Sequence, residues 1–246
     1  FIKPTSQTTV SISGEGDTEV EYVYTRDQFS FAITDRTYID DASTTADGTY
    51  YYETPITVKA VERPGYSFEW SDGETDYERT FDLSENTSLT PTYTANTNTP
   101  YTVVHKKMNL DGSTYTTAST LNLTGTTDTQ VTPAVNTYTG FTAPSTQTVT
   151  ISGSGNTVVE YLYTRNQYAF SITDRTYIVT APADGNYYYE TEFTVTAQER
   201  DGYTFEWSDG ETDYSRTITI TGNTILTPQY TANTNTAYTV KHYKMN

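Results

Sequence analysis

The chain of 246 residues has no cysteine, two histidines, and 14 basic against 31 acidic residues. The absence of cysteine excludes disulfides and thiolate metal sites. A net charge of −17 argues against nucleic acid and anionic lipid as partners, since both bind basic patches. No run approaches the roughly 20 apolar residues of a membrane span, so we expect no membrane insertion. No signal peptide is recognisable, and since the sequence opens inside a repeat, we expect a longer protein.

The chain does have a long internal repeat. Residues 14–39 recur as 153–178 with 18 of 26 positions identical, and residues 47–109 recur as 184–246 with 45 of 63 identical. Repetition of this kind decides the architecture before any local motif does. An enzyme usually assembles one site once, whereas copies supply length, multivalency or a regular surface. We therefore expect no enzymatic activity.

The repeat divides into two kinds of module that differ in charge. The predicted segments are an N-terminal segment (1–28), a first acidic module (29–99), a neutral module (100–167), a second acidic module (168–236) and a C-terminal segment (237–246). The acidic modules carry 13 acidic and 4 basic, then 10 acidic and 3 basic residues, whereas the neutral module has 3 of each. The N-terminal segment resembles the end of a neutral module, and the C-terminal segment its first strand.

The pattern of residues predicts an all-β fold of tandem small modules forming an elongated rod. The chain is rich in Thr and Tyr, which favour pleated surfaces, and it shows no helical period of useful length. Apolar residues alternate in 192–199, 203–207 and 216–221, and Pro228 marks 224–230 as an edge or a bulge. Asp209-Gly210 is typical of a turn.

The residue pattern of the neutral module also predicts strands. Residues 101–108 read as its first strand, and 147–152 with 157–164 read as a hairpin. A short helix is predicted over 128–136. The segments 94–99 and 231–236, both Thr-Ala-Asn-Thr-Asn-Thr, read as short linkers too brief for flexible tethering.

Residues 183–231 resemble the divergent internalin B-repeat of the Listeria–Bacteroides repeat group. The matching motifs are a Gly-Tyr-x-Phe strand, a Trp-Ser-Asp-Gly turn and a Gly-Asn-Thr-x-Leu-Thr strand, on Gly202, Tyr203, Phe205, Trp207, Ser208, Asp209, Gly210, Gly222, Asn223, Thr224, Leu226 and Thr227. The first copy matches at Gly65, Tyr66, Phe68, Trp70, Ser71, Asp72, Gly73, Asn86, Thr87, Leu89 and Thr90. One residue, Glu69 or Glu206, separates Phe from Trp where the family usually has two.

The neutral module resembles internalin- and mucin-binding-protein-type repeats, which are β-grasp-like units. Together these resemblances imply an extracellular repeat region on a bacterial cell surface, with no enzyme activity. Alternation puts Tyr66, Phe68 and Trp70, and equally Tyr203, Phe205 and Trp207, on one face of a strand, and we predict these residues as the structural core of the modules.

Few residues are candidates for chemistry, and none for catalysis. His105 and His242 occupy the same repeat position beside lysine, and both are predicted to be exposed strand residues. The acidic clusters offer oxygen ligands for Ca²⁺, but a solvated hairpin turn explains them better. The calcium candidates are Asp72, Glu74, Asp76, Asp209, Glu211 and Asp213. No other cofactor is expected.

Two further groups are candidates for ligand or junction contacts. The central residues of the tyrosine triplets, Tyr51 and Tyr188, either bind a ligand or pack under a neighbouring module. The pairs Asp35-Arg36 and Asp174-Arg175 read as strand-end ion pairs or junction contacts.

Three functions remain open at this point. The first is a structural or adhesive stalk that projects or multimerises a binding function. The second is a module that binds glycans or proteins through exposed tyrosines. The third is a filament subunit in which the C-terminal segment of one copy adds a strand to the N-terminal segment of the next. The expected partners are neighbouring modules, other copies of the chain, or cell-surface glycans and proteins.

Overall fold

The computed structural model describes residues 1–6 and 9–245, in which the regular elements are all strands. The predicted all-β fold of tandem small modules is confirmed. Residues 7, 8 and 246, which fall in the predicted terminal segments, lie outside the described residues. The search for a helix long and apolar enough to cross a membrane finds none in the described part of the chain.

The chain divides into two compact units. The first comprises Phe1–Tyr101, Thr124–Val131 and Thr150–Thr157, and the second comprises Thr102–Leu123, Thr132–Val149 and Val158–Asn246. Each unit therefore contains one acidic module together with parts of the neutral sequence.

The first acidic module holds seven strands in three small sheets. They are β1 (Gln28–Ile33), β2 (Gly48–Tyr51), β3 (Pro55–Lys59), β4 (Tyr66–Trp70), β5 (Glu78–Asp82), β6 (Thr87–Leu89) and β7 (Pro91–Ala95). Strand β1 pairs antiparallel with β2 and parallel with β6, β3 pairs with β5, and β4 pairs with β7.

Alternation along these strands builds the core. In β4, Phe68 and Trp70 are buried while Ser67 and Glu69 are exposed, because successive side chains point to opposite faces. The single residue between Phe68 and Trp70 thus puts both rings inside, with their centroids 5.2 Å apart in an edge contact. The other buried members of this core are Phe31, Ile33, Ile39, Ile56, Val58, Ala60, Leu83 and Leu89.

The second acidic module repeats the plan around its own core. Its strands are β14 (Gln167–Ile172), β15 (Ile178–Thr180), β16 (Gly185–Tyr188), β17 (Glu192–Ala197), β18 (Tyr203–Trp207), β19 (Ser215–Thr219), β20 (Thr224–Leu226) and β21 (Pro228–Ala232). The strand order is β16-β14-β20, β15-β17-β19 and β18-β21. Trp207 and Phe205 again meet edge to face at 5.2 Å.

Residues 224–230, predicted as one strand, contain the whole of β20 and the beginning of β21. Leu226 closes β20, which pairs with β14, whereas Pro228 opens β21, which pairs with β18. Proline is tolerated as a first strand residue because its missing N–H is not needed by the ladder there.

The neutral module contains β8 (Thr99–Met108), β9 (Tyr115–Gly125), β10 (Gln130–Val131), β11 (Phe141–Thr142), β12 (Val149–Thr150) and β13 (Thr157–Arg165). The sheet order is β11-β13-β8-β9, and β10 pairs separately with β12. The predicted hairpin is therefore wrong: β12 and β13 follow each other in sequence but belong to different sheets.

The short helix predicted over 128–136 is also wrong. Asp128 lies at a φ of 59°, and Gln130–Val131 form β10. Tyr163 Oη accepts the backbone N–H of Asn136 at 2.7 Å, and Tyr161 Oη donates to the carbonyl of Pro133 at 2.7 Å. Buried tyrosine hydroxyls thus satisfy backbone groups of an irregular segment.

The terminal segments have little regular structure. Ile2 and Thr25 form an isolated bridge, and residues 237–245 are exposed without strand pairing. The predicted strand over 238–244 does not form here, so strand addition between copies stays a prediction.

Candidate functional site

The most elaborate polar site lies where the neutral module joins the second acidic module. Only Asn166 separates β13 from β14, and its carbonyl accepts the backbone N–H of Tyr189 at 2.8 Å. This junction has no linker, so the two modules meet through a continuous backbone with its own hydrogen bond.

Arg165 is the centre of this junction. Its Nε donates to the carbonyl of Met108 at 3.0 Å, and its Nη1 donates to the carbonyl of Tyr189 at 2.6 Å and to Glu190 Oε2 at 2.8 Å. The side chain is only 11% exposed. The guanidinium also lies 4.8 Å from the ring centroid of Phe141. One cation thus links two strands of the neutral module to a turn of the acidic module.

The N-terminal segment makes the same junction with the first acidic module. Arg26 donates to the carbonyl of Tyr52 at 3.3 Å and stands 4.0 Å from Glu53. Phe1 meets Tyr52 with centroids 5.9 Å apart at 72°, as Phe141 meets Tyr189 at 6.2 Å and 73° in the second copy. The longer distances and 50% exposure of Arg26 make this copy the weaker one.

The glutamates at both junctions have an unusual backbone. Glu53 lies at a φ of 64° and Glu190 at 66°, in the left-handed region that non-glycine residues rarely occupy. In each copy the backbone N–H of this glutamate donates to the carbonyl of a core residue, that of Leu83 at 2.8 Å or that of Ile220 at 2.7 Å. The two copies thus share the same backbone conformation at the turn that contacts the junction arginine.

The central tyrosines of the triplets differ between copies. Tyr51 is 52% exposed, whereas Tyr188 is half-buried and so close to Gly112 that a Cβ added at Gly112 would lie 2.5 Å from its hydroxyl. Gly112 is at a φ of 69°, which glycine alone adopts easily. Tyr188 is therefore placed as a junction residue.

Each acidic module also has an arginine surrounded by tyrosines. The Arg63 guanidinium lies 4.1, 4.0 and 5.4 Å from the ring centroids of Tyr38, Tyr66 and Tyr93. In the second copy, Arg200 lies 4.0, 4.1 and 5.2 Å from Tyr177, Tyr203 and Tyr230. We call these sets the first and second arginine clusters.

Within the first unit, the first arginine cluster receives a loop of the neutral sequence. Tyr66 Oη donates to Asp128, which also stands 4.0 Å from Arg63, and this hydrogen bond to the carboxylate raises the pKa of Tyr66. Next to it, a Cβ added at Gly65 would lie 2.4 Å from the Cα of Gly153. The contact therefore requires glycine on both sides.

The second arginine cluster has no such loop on it among the described residues. A Cβ added at Gly202, the counterpart of Gly65, would meet only the Thr236 hydroxyl, at 3.7 Å. The two clusters thus share their internal geometry, and in the described residues only the first is contacted by neutral sequence.

We expect Tyr66→Phe to lower the unfolding midpoint of the first unit by about 2 °C, because it removes a hydrogen bond to a carboxylate. Tyr203→Phe is the matched control and should leave the second unit unchanged. Differential scanning calorimetry of both variants checks this. Equal shifts would show that the hydroxyl acts inside the arginine cluster and not on Asp128.

The predicted linker at 94–99 is held by backbone hydrogen bonds. Asn96 donates its N–H to the carbonyl of Gly65 at 2.8 Å, and its own carbonyl accepts the N–H of Thr127 at 3.0 Å. Thr99 and Thr127 share a buried hydroxyl contact at 2.6 Å. The segment thus continues the module interface and is not a tether.

The structure corrects the interpretation of Asp35-Arg36 and Asp174-Arg175 as ion pairs. Arg36 bonds Asp41 and Asp47, both at 2.5 Å, while Arg175 bonds Asp184 at 2.5 Å. The arginine lowers the pKa of Asp47, and likewise that of Asp184. Asp35 and Asp174 instead accept N–H bonds from Thr37 and Thr176. All four residues act inside their own modules.

The calcium candidates do not converge. Asp209 accepts two bonds from Arg216 at 2.7 and 2.6 Å, which lowers the pKa of Asp209, and Asp72 pairs with Arg79. The backbone carbonyls of Asp76 and Asp213 accept the indole N–H groups of Trp70 and Trp207 at 3.0 Å. Glu74 and Glu211 are exposed. In residues 1–6 and 9–245, no three His, Asp or Glu side chains gather as metal ligands.

The prediction of an exposed histidine is wrong for His105, which is fully buried, whereas His242 is exposed. His105 Nδ1 bonds the hydroxyl of Tyr163 at 2.8 Å, and its Nε2 has no partner in the described part of the chain. Burial lowers the pKa of His105.

The burial of His105 predicts a pH-dependent stability. Because the pKa is lower in the folded than in the unfolded chain, stability is full above the unfolded value near 6.5 and falls as pH drops through it towards the folded value. The slope is at most about 1.4 kcal/mol per pH unit. Urea unfolding between neutral pH and pH near 5 should show this loss. The His242→Asn control should keep it, and His105→Phe should abolish it.

Sequence reasoning missed four arginines, of which three lie at junctions and the fourth, Arg200, is the centre of the second arginine cluster. Arg26, Arg165, Arg63 and Arg200 lack a motif, but each pair recurs in a chain with few basic residues. The repeated positions of these arginines, in a chain with so few basic residues, were the signal that the sequence offered.

Comparison with protein families gives a match for the second acidic module. Residues 169–234 match the model of the divergent InlB B-repeat domain. The InlB B-repeat family is found in surface proteins of bacteria, which fits a repeat region. The match supports the resemblance noted from the sequence for this part of the chain. No curated protein sequence matches the chain.

Proposed function

We propose that this chain is an extracellular stalk segment of a bacterial surface protein, which projects or multimerises a binding function. The B-repeat match at residues 169–234 supports this class of protein. The observation that carries the proposal is the junction built twice, by Arg26 with Tyr52 and by Arg165 with Tyr189. A chain whose copies are only tethered has no reason to keep the same contacts at each joint.

The mechanism is mechanical and involves no catalysis. Each acidic module has its own buried core, and it contacts neutral sequence at the Glu53 or Glu190 turn. In the first unit it also receives neutral sequence at Arg63 and Gly65. Contacts to immediate neighbours are what a repeat stalk needs, since each added copy then extends the same axis.

The acidic charge suits this role. The two acidic modules carry −9 and −7, counted from the sequence, while the neutral module carries none. Repulsion between acidic modules disfavours folding back of the chain on itself.

Small-angle X-ray scattering of the chain tests the proposal. A compact globule of this length has a radius of gyration of about 18 Å, and a stalk should exceed it clearly. Chains with added acidic and neutral modules should lengthen by a constant increment in electron micrographs. A value near that of the globule, or lengths that do not grow with copy number, would refute the stalk.

A second candidate is ligand binding by tyrosine, favoured by the 52% exposure of Tyr51. Exposed aromatic rings stack on sugars and anchor protein contacts. A glycan array with the chain and its Tyr51→Ala variant separates this from the stalk. Because Tyr188 already packs by Gly112, Tyr188→Ala should change such binding little.

A further inference from the structure

The longest strand of the described chain lies at an open sheet edge. Strand β9, Tyr115–Gly125, has 11 residues and follows β8 at the end of the order β11-β13-β8-β9. Eight of its residues are exposed, and on its outer side no backbone hydrogen bond to a described residue is present. An edge of this length presents a row of free N–H and C=O groups.

This edge lacks the features that normally prevent pairing. The sequence of β9, YTTASTLNLTG, contains no charged residue and no proline. Natural edges are usually shortened, charged or interrupted to stop strand addition. Strand β5 in the first acidic module shows the contrast, since its five residues include Glu78, Arg79 and Asp82.

One face of β9 leaves part of the core uncovered. Ser119 contacts the hydroxyl of Tyr138 at 3.2 Å, and Tyr138 packs on the buried Tyr163 with centroids 4.7 Å apart. Leu121 and Leu123 alternate onto the same face and are 44% and 37% exposed. A further strand beside β9 would extend this sheet and cover both leucines.

The absence of charge on β9 favours a second copy of this chain as the partner that pairs with the open edge. Two chains of −17 repel each other, but the neutral module carries three charges of each sign and β9 carries none. Two β9 strands can therefore lie antiparallel without opposing like charges in any register. An isologous pair of this kind closes after two copies, so it gives a dimer and no open fibre.

We propose that β9 is a pairing edge through which two copies of this chain join side by side at their neutral modules. The inference goes beyond the stalk function and does not need it: it gives the chain a lateral partner. It also differs from strand addition by the C-terminal segment, since it uses a strand that is complete within the folded module.

Sedimentation equilibrium of the full chain tests the pairing. The wild type should form dimers as concentration rises, and Thr120→Lys on β9 should raise the dimer dissociation constant about tenfold or more, because the joined edges would then carry two lysines close to each other. Thr164→Lys is the matched control. It adds the same charge to an exposed position of β13, away from the open edge, and should leave the constant unchanged.

A cysteine scan keeps the test valid if Thr120→Lys misfolds. The chain has no cysteine, so replacing each residue from 116 to 124 in turn by cysteine places a single thiol at every position along β9. Antiparallel pairing brings one position close to its own copy and separates the others, so disulfide yield should peak at one site. Thr164→Cys should give little product.

Three results would overturn the proposal. They are a wild type that stays monomeric at every concentration, equal weakening by both lysine variants, and no cysteine peak along β9. None of these affects the radius of gyration of the monomer, so the stalk function stands or falls separately.

Discussion

Trp207→Ala should destabilise the second unit by about 3–5 kcal/mol, the loss typical of a large aromatic removed from a core. Trp207 is fully buried, and its ring meets Phe205 at a centroid distance of 5.2 Å. The indole N–H also bonds the carbonyl of Asp213 at 3.0 Å, so the change also removes this hydrogen bond. Small domains have stabilities of roughly 5–15 kcal/mol, so most of the margin of this unit would be lost.

The two tryptophans allow the unfolding of each unit to be followed separately. Each acidic module has one, and Trp70 lies in the core of the first. In Trp207→Ala, Trp70 fluorescence should report the wild-type unfolding midpoint for the first unit, while circular dichroism shows an early transition from the second. Trp207→Phe keeps an aromatic ring and should cost clearly less. A common shift of both transitions would contradict the independence of the two cores.

Much of the acidic module follows from local alternation. The strand predicted at 203–207 is β18 as observed, and Gly210 lies at a φ of 92° in the predicted Asp-Gly turn. Phe205, Trp207, Ile218 and Ile220 are buried as their period of two requires. Tyr66 and Tyr203, predicted in the cores because they share a strand face with Phe and Trp, are instead half-buried beside Arg63 and Arg200.

The neutral module shows where local patterns stop being informative. Whether 147–152 pairs with its sequence neighbour β13 or with β10 depends on partners distant in the chain, which no local pattern contains. The burial of His105 has the same origin, since Tyr161 and Tyr163 come from a strand more than 50 residues away, as the separation of 58 to Tyr163 shows. A polar residue at an inward position of a strand is predicted as exposed unless its partner is known.

The function candidates divide in the same way. Repetition and the B-repeat motifs indicated modules and a surface protein, because both are written in consecutive residues. The residues that join the modules were missed, because Arg165 acts through Met108, Tyr189 and Glu190, which lie 57, 24 and 25 positions away. A junction is a property of the assembled modules, and its strength is the quantity that a stalk depends on.

Arg165→Ala should therefore destabilise the second unit by about 2–4 kcal/mol, since it removes three hydrogen bonds of a charged group that is only 11% exposed. It also leaves the carbonyls of Met108 and Tyr189 without this donor. The effect should appear in a Trp70→Phe background as an earlier loss of Trp207 fluorescence in urea.

Arg26→Ala is the matched control for this junction. Arg26 makes the equivalent contacts at 3.3 and 4.0 Å with half of its side chain exposed, so its loss should cost less than about 1 kcal/mol, read from Trp70 in a Trp207→Phe background. Arg165→Lys should not restore the junction, because one ammonium cannot reach carbonyls on two sides as the guanidinium fork does. If Arg165→Ala and Arg26→Ala prove equally mild, the junction is only a surface ion pair, and the repeated contacts cannot be what holds consecutive modules in line.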